Sequence, residues 1–474
     1  MSHQKKNENK EENYQMNKKK LLSASLVGVM GMMALTGCGD SKDSGNGNGG
    51  GGAVSKDADA TKGTVRFLNF KPEIADAWQT VIDDFTAETG IEVELKTAAS
   101  GTYEQTLKAD IAKKDAPTLF TINGPVGYAS WKSYCADLSA TDLYSWLTDK
   151  SIAITDGSGV YGIPYVVEGY GIIYNNAIMD KYFASENKTT SYASMDEVNN
   201  FEALKAVTED MQALKDELGI EGVFASTSFS AGEDWRWQTH LANLPIHYEL
   251  KEKGVSDLET IDFSYAENYK NIFDLYTNNS VTEKSMLATK KVDDSMAEFA
   301  LGKCAMVQNG NWGWGQVSGV DGNVVNAEDV KFLPIYTGVE GEENQGICIG
   351  TENFWAVNSN ASAEDQAATV KFMEWIMNSE KGRDHCTNTL GIIAPFSTFG
   401  DGETPTDPLA QEVLRWMASG SNTVTWDFTI FPSQTFKDNF GADLLSYCSG
   451  NMDWDTVVSN TKDSWATEKA AIAE

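Results

Sequence analysis

The sequence predicts an α/β fold of more than one domain, and its length and its alternation of strand and helix patterns carry that reading. The chain has 474 residues, 41% of them apolar, enough for a large core and too many for one ordinary domain. Between residues 64 and 123, runs of strand and helix character alternate. The charge balance is strongly acidic, with 37 Lys and Arg against 69 Asp and Glu and a net charge of −32. It argues against nucleic acid as a partner, because an electropositive footprint normally supplies that affinity. Mean hydropathy is −0.35, and the one long apolar run excludes a polytopic membrane protein. Four histidines leave little material for a metal centre, so neither metal nor cofactor is expected.

The first 37 residues read as an export signal. Lys18, Lys19 and Lys20 precede an apolar run from Leu21 to Leu35, the length of a signal core and too short for a comfortable membrane span. The run ends in Leu35-Thr36-Gly37-Cys38, which resembles the lipobox of bacterial lipoproteins. That resemblance implies cleavage before Cys38 and diacylation of its thiol. Removing residues 1–37 moves the net charge from −32 to −35, so attachment is expected through acyl chains and not through a basic patch. Residues 38–63 are rich in Gly, Ser and Asp and hold nothing apolar larger than Val54, the composition of a flexible tether. Gly45, Gly47 and Gly50 match a dinucleotide-binding spacing, but no strand precedes them and no helix follows.

The folded part is expected to begin near Thr64. Thr64 to Phe70 is rich in branched and aromatic residues, a strand signature. Pro72 suits a first helical turn, and Ile74, Trp78, Val81, Ile82 and Phe85 share one helical face that Gly90 closes. Ile91 to Thr97 reads as a second strand. Thr102 and Gln105 have the spacing of a capping box for a helix to Lys113. Thr118 to Asn123 is a third strand. This β-α-β-α-β order implies parallel pairing, and parallel sheets bind ligands at the carboxyl ends of their strands.

Five stretches then carry a family resemblance. Val160-Tyr-Gly-Ile-Pro-Tyr-Val-Val-Glu-Gly-Tyr-Gly-Ile-Ile-Tyr-Asn175 resembles the crossing segment of the extracellular solute-binding proteins of carbohydrate ABC transporters. Phe85 to Val93, Phe299 to Trp312, Ala367 to Gly382, and Leu390-Gly391 with Pro395 resemble further blocks of that family, in the same order. The resemblance implies a two-lobed, periplasmic-binding-protein-like α/β fold. Each lobe would be a largely parallel sheet flanked by helices, with hinge crossings between them. It places one lobe at 64–172 plus 340–395 and the other at 173–339 plus 396–474. It also implies a carbohydrate ligand, permease subunits as partners, a monomer, and a location at the extracellular face of the cytoplasmic membrane.

Thirteen tryptophans supply aromatic surface, and several have acids or amides beside them. A sugar ring offers an apolar C–H face and a hydroxyl rim, so flat indoles flanked by carboxylates and amides suit it. Trp312, Trp235 and Trp426 are the candidate platforms, and Trp312 aligns with the family's stacking tryptophan. Trp78, Trp375 and Trp416 sit on helical apolar faces and are expected in the core. Glu168 matches the family's ligand-binding acid. Lys71 and Glu73 follow the first strand, where family members place a charged pair; Pro72 between them is a departure. Asn123, Tyr170, Asn311, Asn353 and Asp427 complete the candidate ligand-binding set.

No catalytic motif stands out: there is no GxSxG elbow, HExxH, P-loop or EF-hand loop. A binding protein is expected, not an enzyme. A polyamine, which the acidic balance would favour, is the alternative ligand on the same scaffold, and a surface glycoside hydrolase is the more distant one. Cys135, Cys304, Cys348, Cys386 and Cys448 have no metal-ligand rhythm, and their spacing assigns no disulfide.

Overall fold

The computed structural model describes residues 52–54, 57–99 and 101–473; the signal segment and Cys38 lie outside them. Among the described residues, eleven strands form two sheets. They are β1 (Thr64–Asn69), β2 (Glu92–Thr97), β3 (Leu119–Asn123), β4 (Ile154–Asp156), β5 (Gly159–Pro164), β6 (Glu168–Asn175), β7 (Met306–Gly310), β8 (Val330–Leu333), β9 (Gln345–Gly350), β10 (Asn353–Val357) and β11 (Asn422–Val424). The first sheet has the order β2-β1-β3-β10-β5-β4. The second runs β11-β9-β6-β7, with β8 also on β6.

The opening βαβαβ unit folds as its periodicity dictates. Helix Ala75–Thr89 buries Trp78, Val81, Ile82 and Phe85 against the first sheet, and Gly90 ends it in the left-handed region at φ 72°. β1 pairs in parallel with both β2 and β3. The capping box does not form: the Thr102 hydroxyl donates to the Ala99 carbonyl at 2.9 Å, and the helix runs only from Tyr103 to Asp110. Gln105 is turned to another use, because it lines the cleft described below.

Beyond these strands, parallel pairing among the named strands recurs only between β9 and β11. β10 is antiparallel to both β3 and β5, and β6 is antiparallel to β7, β8 and β9. The physical reason lies in the connections. A short helical crossover forces parallel pairing, whereas the 130 or so residues between β6 and β7 can return the chain in either direction. Strand membership also changes within a few residues, from the first sheet at Pro164 to the second at Glu168, and back between Gly350 and Asn353. β9 falls in the range expected for the first lobe yet pairs in the second sheet.

Each sheet has its own core. Phe67, Trp78, Phe85, Phe372 and Trp375 pack on the first, and Trp355 stacks on Tyr165 at 4.6 Å. Tyr170, Trp237, Phe273 and Tyr276 belong to the second. Two cores joined by these two short crossings, and by a third between Phe399 on the first core and Leu409 on the second, make a two-lobed molecule. The five cysteines Cys135, Cys304, Cys348, Cys386 and Cys448 are buried and free, small core fillers with no disulfide among them.

Candidate functional site

A cavity of about 560 Å³ lies between the lobes and is lined from both. The first-lobe wall grows out of the carboxyl ends of β1 and β3. Asn69, the last residue of β1, clamps the turn that follows. Its side chain accepts from the Lys71 amide at 3.0 Å and donates to the Lys71 carbonyl at 2.7 Å. Lys71 is thereby aimed into the cavity. Its Nζ donates to Glu168 Oε1 at 2.6 Å and lies 3.7 Å from Glu73 Oε1. Glu168 opens β6 at the crossing, and its other oxygen accepts from Asn353 Nδ2 at 3.2 Å. The Lys71 and Glu168 side chains are 8% and 4% exposed, so this is a buried pair with a third partner. Burial works against the Lys71 ammonium, but the charges of Glu168 and Glu73 outweigh it and hold its pKa above the ordinary lysine value. Glu73 is pushed upward by burial.

Asn123 ends β3 and donates to Glu352 Oε2 at 3.2 Å. Glu104 accepts from Trp131 Nε1 at 3.0 Å. Burial raises the pKa of both acids, and the charge of Lys437 opposes it.

The opposite wall is aromatic. β7 ends at Gly310, where a Cβ would fall 2.1 Å from the Trp312 ring; glycine there lets the indole lie back over the strand. Trp312 sits 6.2 Å from Trp235 and 5.5 Å from His240, centroid to centroid. The Lys71 ammonium lies 5.2 Å over its ring, a cation–π contact between the walls. Burial drives the His240 pKa far below its ordinary value, so the ring is a neutral aromatic, stacked on Tyr170 at 4.4 Å. Beneath Trp235, Arg236 Nη1 donates to the Gln308 carbonyl at 3.0 Å, and Gln308 Nε2 donates back to the Arg236 carbonyl at 2.8 Å. This exchange pins the turn Arg236–Leu241 to β7. The lobes also touch backbone to backbone at Gly101 and Gly232: a Cβ on Gly101 would stand 2.8 Å from the Gly232 Cα.

Of the candidates read from the sequence, Trp312, Glu168, Lys71, Glu73, Trp235, Asn123 and Asn353 line this one cavity. Four do not line it. Trp426 is 4% exposed and packs behind the wall, over Gly350 and against Tyr170 and Phe428. Tyr170 is fully buried and donates to the His240 carbonyl at 2.9 Å. Asn311 accepts from the Gly169 amide at 2.9 Å, tying the Trp312 turn to the crossing. Asp427 is taken up by Thr425 and by His247 Nδ1, at 2.9 and 2.7 Å. These four hold the wall from behind because β6 and the 427–430 turn run beneath it.

Sequence reasoning missed several lining groups. Gln434, Lys437 and Asp438 come from helix Gln434–Cys448, where a polar i, i+3, i+4 face looks like any solvated one. Glu233, Asp234 and His240 flank Trp235. Their signal was the tryptophan-acid cluster itself, but the π-helical turn hides which of its residues face inward.

Against known proteins, residues 80–412 match the family model described as bacterial extracellular solute-binding protein. Among solved structures, the GacH receptor of Streptomyces glaucescens, studied unliganded and with acarbose, is similar at 17% identity. The match covers 86% of this chain and 98% of that one, with a TM-score of 0.63. A Bacillus licheniformis sugar transporter in complex with stachyose is similar at 15% identity, over 85% and 100% of the two chains, with a TM-score of 0.62. Maltose-bound T. maritima MalE3 is similar at 14% identity, over 86% and 99%, with a TM-score of 0.62. At these identities the neighbours establish the fold, and the family match spans well over half of the chain. With its two cores, three crossings and interlobe cavity, the chain belongs to the bacterial extracellular solute-binding proteins.

Proposed function

We propose that this protein is the ligand receptor of a carbohydrate ABC importer, taking an oligosaccharide between its lobes and closing around it. The observation that carries the reading is the meeting of Trp312 and Trp235 with Glu168, Asn123 and Asn353 in one cavity. Indole faces suit the C–H faces of a sugar ring, and carboxylates and amides suit its hydroxyl rim. A charge-assisted bond to a hydroxyl contributes roughly 1.5–3 kcal/mol. The ligands of the structural neighbours, acarbose, stachyose and maltose, support a sugar.

Contacts to both walls form together only in the closed molecule, so ligand shifts the hinge equilibrium toward closure. The first lobe would comprise 64–172 plus 340–395 and the second 173–339 plus 396–474, with β6 and β9 moving with the second. Two acyl chains at Cys38 hold the receptor at the extracellular face of the cytoplasmic membrane. The tether that lets a monomer reach its permease subunits is shorter than the 38–63 expected from composition, because Ala53 and Val54 pair with Asp137 and the turn Ala60–Lys62 packs on the first lobe. No cofactor takes part, and the ligand leaves chemically unchanged.

Tryptophan fluorescence titrated over a glycan panel tests the reading, because Trp312 and Trp235 report on the cleft. Trp312→Ala should weaken the best glycan at least about tenfold, with apo thermal unfolding within a few degrees of the parent. Loss of fold without glycan-specific loss would make Trp312 a core residue and remove the main support for a sugar.

A further inference from the structure

The charges on the cavity walls are unusual even for this acidic chain. Eight of the 29 lining residues are acids, against 69 of 474 in the sequence, while only Lys71 and Lys437 are basic. Glu73 and Glu104 come from the first-lobe wall and Glu168 and Glu352 from the crossings. Glu233, Asp234, Asp293 and Asp438 face them from the second lobe. Lys71 is spoken for by Glu168 and Glu73. Around Lys437 the balance is different. Its charge is felt by Glu352 and Glu104 from the other side of the cleft, and Asp438 stands next to it on the helix, yet Lys437 makes no ion pair within 4 Å among the described residues. Asp438 in turn repels Asp234, which is already crowded by Glu233.

Two further observations show what this surface can hold. Thr121, 3% exposed, lines the same cavity, and its hydroxyl oxygen has no hydrogen-bond partner among the described residues; a bound ligand would satisfy it. The chain also carries its own example of the chemistry. The Lys71 ammonium rests over the Trp312 ring at 5.2 Å and against Glu168 at 2.6 Å, the aromatic-plus-carboxylate setting in which a cation is favoured.

Resting on the carbohydrate reading above, we propose that the ligand is a cationic glycan: an oligosaccharide bearing at least one free, protonated amino group, held among Glu104, Glu352, Asp234 and Asp438. A neutral sugar can bond these carboxylates through its hydroxyls but leaves the repulsion of Asp234 by Asp438 and Glu233 in place. An ammonium removes it. Burial raises the pKa values of Glu104, Glu352 and Asp234; Lys437 opposes it at the first two, and at Asp234 the charges of Asp438 and Glu233 add to it.

The test is a calorimetric titration of the protein with matched α- and β-linked glycans. Each series contains an oligosaccharide of amino sugars, its fully N-acetylated partner and the corresponding neutral glucan, and spermidine is run alongside. The amine-bearing member of the best series should bind about tenfold more tightly than its two partners. That advantage should shrink at least about threefold between roughly 0.05 and 0.5 M salt. Asp438→Asn and Glu352→Gln should each narrow the amine-to-neutral ratio; if either fails to fold, the other variant and the parent's salt dependence still decide. An N-acetylated or neutral member that binds equally or better overturns the cationic ligand and leaves the carbohydrate reading standing. Spermidine binding with no glycan binding overturns the carbohydrate reading, and no binding by any member overturns both.

Discussion

The wall that the first lobe presents to the cleft is polar: Lys71, Glu73, Tyr103, Glu104 and Asn123 stand at strand ends or on the first turn of a helix. The wall opposite is built on Trp312, Trp235 and His240, laid over the end of β7 and the turn it pins. The polar wall is tied by hydrogen bonds and ion pairs whose geometry one substitution can break. The aromatic wall is backed by a second layer of rings, Tyr170, Trp426 and Phe428, which share the load. The indoles stand on the second wall, with Glu233, Asp234 and Asp438 near them, while Lys71, Glu73 and Asn123 come only from the first. The lobes divide the recognition chemistry between them, so a ligand is fully held only when they meet.

That contrast can be broken most severely at Glu168. Glu168→Gln leaves the Lys71 ammonium buried with only Glu73 at 3.7 Å. Breaking a buried pair from one side should cost about 3 kcal/mol in urea unfolding, with weaker ligand binding as well. A variant as stable as the parent would mean that solvent reaches Lys71 freely.

A smaller effect is expected at the rim of the aromatic wall. Burial, joined by the charges of Asp438 and Glu233, pushes the Asp234 carboxyl up to about 6 from its ordinary 3.8. The folded state then keeps a proton that the unfolded chain has released. This contribution to stability is whole below the unfolded value and is lost as pH rises through about 6. Asp234→Asn should raise stability at neutral pH by on the order of 1 kcal/mol and flatten the pH 4–6 part of the curve. Asp407, also pushed up to about 6 by burial, titrates in the same window. The parent-minus-variant difference is therefore the quantity to read.

The least effect on ligand is expected one layer back. Trp426→Phe should change glycan affinity by less than about twofold while lowering unfolding stability by about 1–2 kcal/mol, because only packing is lost. An affinity loss as large as that of Trp312→Ala would bring Trp426 into the binding wall.

Local structure was legible wherever a short-range rule acts without competition. β1, the helix closed by Gly90, β2 and β3 follow from periodicity, and the cleft residues Lys71, Glu73 and Asn123 follow from the rule about strand ends. The interleaving of the lobes was legible only through the family resemblance, because no local pattern records that β10 returns to the first sheet and β11 then to the second. Trp426 and Asp427 show the opposite limit. An indole beside a carboxylate reads as a sugar clasp, but His247, 180 positions away, claims that carboxylate together with the neighbouring Thr425. Lys437 and Asp438 were hidden for a related reason: only the arrangement of lobes turns one face of a late helix toward residues more than 300 positions earlier.

Gly101 and Gly232 meet with nothing but main chain between them. A touch without side chains buries scarcely any apolar area, so it adds little grip of its own. What else joins the jaws is sparse, the Lys71 ammonium over Trp312 and the approach of Gly124 to Thr429, so under the proposed function most of the hold would come from the cargo. A side chain at Gly101 would run into the Gly232 main chain at 2.8 Å and sit at a φ of 68°, so it would wedge the jaws apart at the place where they come nearest.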